Sequence, residues 1–97
     1  MRAPAITVSD VHFSTAPREH IRWGLLGFVT FSVNGLFRFD GVALRRTATG
    51  RLALAFPKRL DPRGVRHEIV KPLTDAVRRK VEAQVFAALR VREEYMP

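Results

Sequence analysis

The sequence predicts an α+β fold: a twisted antiparallel sheet of about five strands with one C-terminal helix on a face, completed by homodimerisation. Three observations carry this. Residues from about 5 to 71 read as strands separated by turn dipeptides, with the clearest period-two alternation from Ile21 to Val33. Thr74–Arg92 carries the one convincing apolar stripe of helical period. A central strand is apolar on both faces, which is more than a single helix covers, so a second copy is expected to cover the rest. Ninety-seven residues accommodate one domain, spanning 1–97, and no second core.

Ala5 to Phe13 reads as the first strand. Ile6 and Val8 share one face while Val11 and Phe13 switch phase, which predicts a bulge near Ser9-Asp10. Ser14 to His20 is polar, is marked by Pro17, and reads as a surface loop. From Ile21 to Val33 the odd positions Ile21, Trp23, Leu25, Val29, Phe31 and Val33 share one face, with Leu26 and Phe28 on the other. Asn34-Gly35 is a strong hairpin signal, because a type I′ turn needs positive φ at both central positions. The third strand, Leu36 to Leu44, is interrupted by Asp40-Gly41, read as a bulge. Arg45–Gly50 forms the next turn and Arg51–Phe56 the fourth strand. Pro57 ends that strand, having no N–H for a ladder. Asp61-Pro62-Arg63-Gly64 is turn chemistry, and Val65–Val70 reads as a fifth strand pairing with the fourth.

Lys71-Pro72 hands the chain to the helix, with Thr74 as N-cap and Asp75 placed favourably against the helix dipole. Val77, Val81, Val85 and Ala88 form its stripe, flanked by Leu73 and Leu89. Arg79, Ala83, Phe86 and Arg90 fall on the far side.

Charge is the strongest chemical signal. The formal net charge is +8 and the pI near 11.5. Residues 1–57 hold seven Lys/Arg against three Asp/Glu, whereas the shorter segment 58–92 holds ten against four. Lys58, Arg59, Arg63, Arg66, Lys71, Arg78, Arg79 and Lys80 are the candidate phosphate ligands, expected to form one continuous face. Lys and Arg side chains reach phosphate oxygens and release condensed counterions, so such binding is tight at low salt and lost as salt rises. Arg78, Arg79 and Arg90 on the helix are candidates for base edges. Phe37, Phe39 and His67 are candidate stacking platforms, although Phe37 and Phe39 suit core or interface positions better.

Other chemistries find little support. Without cysteine there is no disulfide, thiolate ligand or cysteine nucleophile. His12, His20 and His67 lack companion carboxylates at metal-ligand spacing, so no metal or other cofactor is expected. No nucleophile elbow, glycine-rich phosphate loop or catalytic carboxylate pair occurs, and the chain reads as non-enzymatic, with no small-molecule substrate. The longest uncharged run, Trp23–Phe37, is short and turn-prone, and no signal-peptide pattern opens the chain; no membrane segment and a cytoplasmic location are expected.

The order of the motifs is similar to a known family. Pro57-Lys58-Arg59, Asp61-Pro62-Arg63-Gly64, His67-Glu68-Ile69-Val70, Pro72-Leu73 and Arg78-Arg79-Lys80 resemble successive elements of the stage V sporulation protein G (SpoVG) septation-regulator family. Ile6-Thr7-Val8-Ser9-Asp10-Val11 looks like its opening strand, so the resemblance covers nearly the whole chain. The family's serine between Pro57 and Lys58 is missing, and Arg79 stands where the family often has glycine. The resemblance implies a dimeric bacterial cytoplasmic regulator that binds DNA or RNA, linked to cell-division septation and sporulation-stage gene expression. The alternative, from the charge alone, is a protein-interaction module whose basic surface docks an acidic protein.

Overall fold

The computed structural model describes residues 5–93. Its elements in chain order are β1 (Val8–Thr15), α1 (Arg18–Ile21), β2 (Leu25–Val33), β3 (Phe37–Arg46), β4 (Leu52–Ala55), β5 (Lys58–Leu60), β6 (Arg66–Glu68) and α2 (Asp75–Glu93). β1 to β4 form one antiparallel sheet in sequence order, and β5 and β6 form a separate two-stranded ribbon. The α+β class holds, but the sheet has four strands, and residues 65–70 do not pair with β4. The ladder stops at Pro57 and restarts beyond it, so the fifth strand pairs with Lys58–Leu60 instead.

Local chemistry places the turns. Asn34 and Gly35 both take positive φ, 54° and 64°, and the Leu36 amide donates to the Val33 carbonyl at 3.0 Å. Gly41 has φ 68°, and the β2–β3 register slips there, with Val29 opposite Val42 but Phe31 opposite Phe39. The expected bulge in β1 lies between Ser9 and His12, where Asp10 takes φ 53°. Ser14–His20, read as a loop, instead continues β1 to Thr15 and then forms the one-turn α1, too short to leave a periodic signal.

The core lies between the sheet and α2. Leu26, Val29, Phe31, Val42, Leu44, Leu54 and Phe56 meet Val81, Val85 and Leu89, all under 8% exposed. Four assignments of facing change. Trp23, expected on the face of Val29 and Phe31, lies in the turn after α1 and is exposed. A second bulge, between Leu25 and Gly27, turns Leu26 into the core, so only Phe28 of the expected pair stays on the outer face, 41% exposed. On α2 the fourth stripe residue is Leu89 and not Ala88, while Phe86, assigned to the far side, reaches back against the core. Thr74 caps α2 as expected, its hydroxyl accepting from the Val77 amide at 3.2 Å.

Side chains of α2 also bind the two edge strands of the sheet. Gln84 accepts from the Val8 amide at 2.7 Å and donates to the Ile6 carbonyl at 2.8 Å. On the helix's other flank, Glu82 accepts from the Leu54 amide at 2.9 Å and Arg78 donates to the Leu54 carbonyl at 3.0 Å. At Val8 and Ile6 on one edge and at Leu54 on the other, α2 side chains thereby take the place of a further strand. No helix among the described residues is long and apolar enough to cross a membrane.

Candidate nucleic-acid interface

The basic segment is built on an arm. β5 and β6 are three residues each, and all six of their side chains are exposed. The arm's base is closed by the Ile69 amide donating to the Pro57 carbonyl at 3.1 Å. Nothing in Lys-Arg-Leu or Arg-His-Glu has a buried face to specify pairing, so the tip specifies it. Pro62 presets φ, Gly64 takes φ 81°, and the Gly64 amide donates to the Asp61 carbonyl at 2.9 Å.

Asp61 organises that tip. Its Oδ1 accepts from the amides of Arg63 and Val65, both at 2.9 Å, and its Oδ2 lies 2.8 Å from His67 Nε2. The His67 hydrogen bond, then the two amides, hold the Asp61 carboxyl below its ordinary value. A depressed folded value means that the tip's stabilisation is complete above the ordinary value of 3.8 and declines as pH falls below it, through the folded value. The arm should therefore open in acid before the sheet does. Amide NMR shifts of Arg63 and Val65, followed from about pH 6 to about pH 2, should move early, and Asp61→Asn should abolish that step. Amides that hold until the whole domain unfolds would contradict this role for Asp61.

The eight candidate cations do not form one flat face. Directly opposed residues of an antiparallel pair share a face, so Lys58, Leu60, Arg66 and Glu68 lie on one side of the ribbon and Arg59 and His67 on the other. Arg63 sits in the tip. Lys58, Lys71 and Arg78 come together around Glu68, lining a cavity of about 210 Å³ between the arm and the helix. Lys71 pairs with Glu68 at 2.9 Å; that hydrogen bond is the largest cause of the depressed Glu68 value, with the charges of Lys71, Lys58 and Arg78 adding to it. Arg79 and Lys80 are exposed on the first turns of α2, and Arg90 near its end.

Arg78 has a structural task as well. Besides holding Leu54, its guanidinium lies 3.9 Å from Glu82 and 5.7 Å from the centre of the Phe56 ring. Lys58, Arg59, Arg63, Arg66, Arg79 and Lys80 form no ion pair among the described residues. The two acids of the arm are already engaged, Asp61 by the tip and Glu68 by Lys71.

Of the stacking candidates, Phe39 packs edge-to-face on Phe31 at 5.5 Å and is committed to the core, whereas Phe37 is 67% exposed. His67 is exposed beside Arg59 but tied to Asp61. Sequence reading missed that tie, whose signal is a turn-opening Asp six residues before a ring nitrogen. Among the described residues no three of His, Asp and Glu gather as a metal site would require. A scan of family models and a search of curated proteins find no match to this chain.

Proposed function

We propose that the chain is a non-enzymatic, cytoplasmic, dimeric nucleic-acid-binding regulator of the kind the SpoVG resemblance implies. Lys58, Arg59, Arg63 and Arg66 on the arm, with Lys71, Arg78, Arg79 and Lys80 beside it, are its phosphate contacts. The observation that carries the reading is the arm itself: a short ribbon with fully exposed strands and four cations, whose own carboxylates are occupied. Apart from Lys58, which stands opposite Glu68, the arm's cations have no acidic partner among the described residues. Cations on both faces of a projecting ribbon suit a polyanion that wraps or is straddled, since phosphates surround the arm on more than one side.

The dimer reading is supported by apolar surface. Leu36 and Leu73 are 77% and 89% exposed, and Leu73 borders an apolar opening of about 270 Å³ shared with Ile6, Val33, Phe39 and Val77. Sedimentation at micromolar concentration should give twice the 11.0 kDa chain mass; a single-chain mass at all concentrations would rule the dimer out.

The test of binding is a gel-retardation titration of a short DNA duplex and a single-stranded RNA against salt. The four arm cations alone correspond to a logarithmic slope of about −3 to −4, so affinity should fall at least about a hundredfold between about 50 and 200 mM salt. Retardation absent even at the lowest salt would reject nucleic acid and leave an acidic protein as the partner.

A further inference from the structure

The end of the sheet opposite the arm is also basic, and it holds the chain's one tryptophan. The arm leaves β4 at Ala55; at the Leu52 end of β4 the turn after α1 meets the β3–β4 turn. Trp23 in that turn is 73% exposed. Leaving the largest aromatic side chain in water forfeits apolar burial, which invites a functional explanation. The Arg22 guanidinium lies 5.7 Å from the centre of its ring.

This corner is held by backbone. The Trp23 amide donates to the His20 carbonyl at 3.0 Å, the Gly24 amide to Ile21 at 2.9 Å, and the Arg46 amide to Gly24 at 2.7 Å. Arg45 Nη2 donates to the Trp23 carbonyl at 3.2 Å. Gly24 has φ 95°, and a Cβ there would meet the Arg46 carbonyl oxygen at 2.8 Å, so only glycine lets the two segments approach this closely. The indole is therefore mounted on a fixed frame. A cavity of about 420 Å³ opens beside it, lined by Arg22, Trp23, Arg46 and Thr47. Arg18, Arg22, Arg45, Arg46 and Arg51 all lie on these segments, Glu19 is their one acid, and none of the five forms an ion pair among the described residues.

We infer that this corner is a second nucleic-acid contact, in which the Trp23 indole stacks on an unpaired base while Arg22 and Arg46 hold the flanking phosphates. A mounted aromatic between arginines is what single strands require: the ring accepts any base face and the cations track the backbone. A duplex offers no such face, because its bases are already stacked. An acidic protein would use the arginines and leave the indole unexplained. The inference shares its ligand class with the function proposed above but rests on different residues, so the two fail separately.

Trp23 reports on its own site, being the only tryptophan. Titrating the intact protein with oligothymidylate should quench its emission, whereas inorganic polyphosphate at equal charge should change it little. Trp23→Ala should weaken oligothymidylate binding about tenfold by anisotropy of a labelled strand, while Trp23→Phe retains most of it and duplex retardation is unchanged. Lys58→Glu with Arg59→Glu should leave the quench measurable. Emission indifferent to oligothymidylate while gel retardation persists would overturn this contact and leave the arm standing. So would equal quenching by polyphosphate, or emission that changes with protein concentration alone, which would make Trp23 an interface residue.

Discussion

Lys58→Glu combined with Arg59→Glu is expected to lower oligonucleotide affinity at low salt by at least about a hundredfold, through two lost phosphate contacts and two new repulsions. The two side chains lie on opposite faces of the ribbon, so the double change strips cations from both. Both are exposed, and exposed substitutions usually alter stability by no more than about 0.5 kcal/mol, so the melting temperature should stay within about 4 °C. One local cost is foreseeable. The carboxylate introduced in place of Lys58 would stand directly opposite Glu68, and like charges so placed loosen a pair. Lys58→Ala with Arg59→Ala avoids this, and should lose affinity by a smaller factor while flattening the salt slope by about 2. Affinity unchanged in both variants would remove the arm from the interface, whatever the rest of the molecule binds.

How much of this is legible in the chain depends on whether a local rule or a long-range pairing decides the outcome. The Asn34-Gly35 turn, the bulges at Ser9-Asp10 and Asp40-Gly41 and the Thr74 cap each follow from one residue's backbone or side-chain preference, and each stands where expected. Counting by parity misassigns Leu26, because a bulge between Leu25 and Gly27 resets parity without any glycine–turn signature to announce it. The partner of the last strand is misassigned for a related reason. Lys58–Leu60 and Arg66–Glu68 have no apolar alternation, so their pairing is set by the tip and by Pro57, not by a face seeking burial. Phe86 is sent outward by a helical wheel that treats side chains as radial spokes, whereas a long aromatic near the boundary folds back to the core. The cations are all identifiable as residues. Their division between two faces and the employment of Arg78 by β4 are properties of the folded ribbon and of α2, and no spacing rule in the chain encodes them.

The sheet's two faces can be told apart by two phenylalanines three residues apart on β2. Phe31 is fully buried, meets Phe39 edge-to-face and sits among Val29, Val42 and Val85, whereas Phe28 is 41% exposed on the face α2 does not cover. Phe31→Ala removes a large buried ring that its neighbours cannot fill, which costs about 3–5 kcal/mol. For a domain of this size that corresponds to a fall in melting temperature of at least about 12 °C, and it takes up much of the ~5–15 kcal/mol that holds such a domain folded. Phe28→Ala opens no cavity, because solvent already reaches the site. Its cost should stay below about 1 kcal/mol in a monomer, limited to the part of the ring resting on the sheet. In a dimer that uses the outer face the same change would cost more, and the excess would grow with protein concentration. Denaturant melts of both variants at two protein concentrations would separate these cases. A Phe28→Ala loss as large as that of Phe31→Ala, and independent of concentration, would contradict the single-sided core on which this sheet is built.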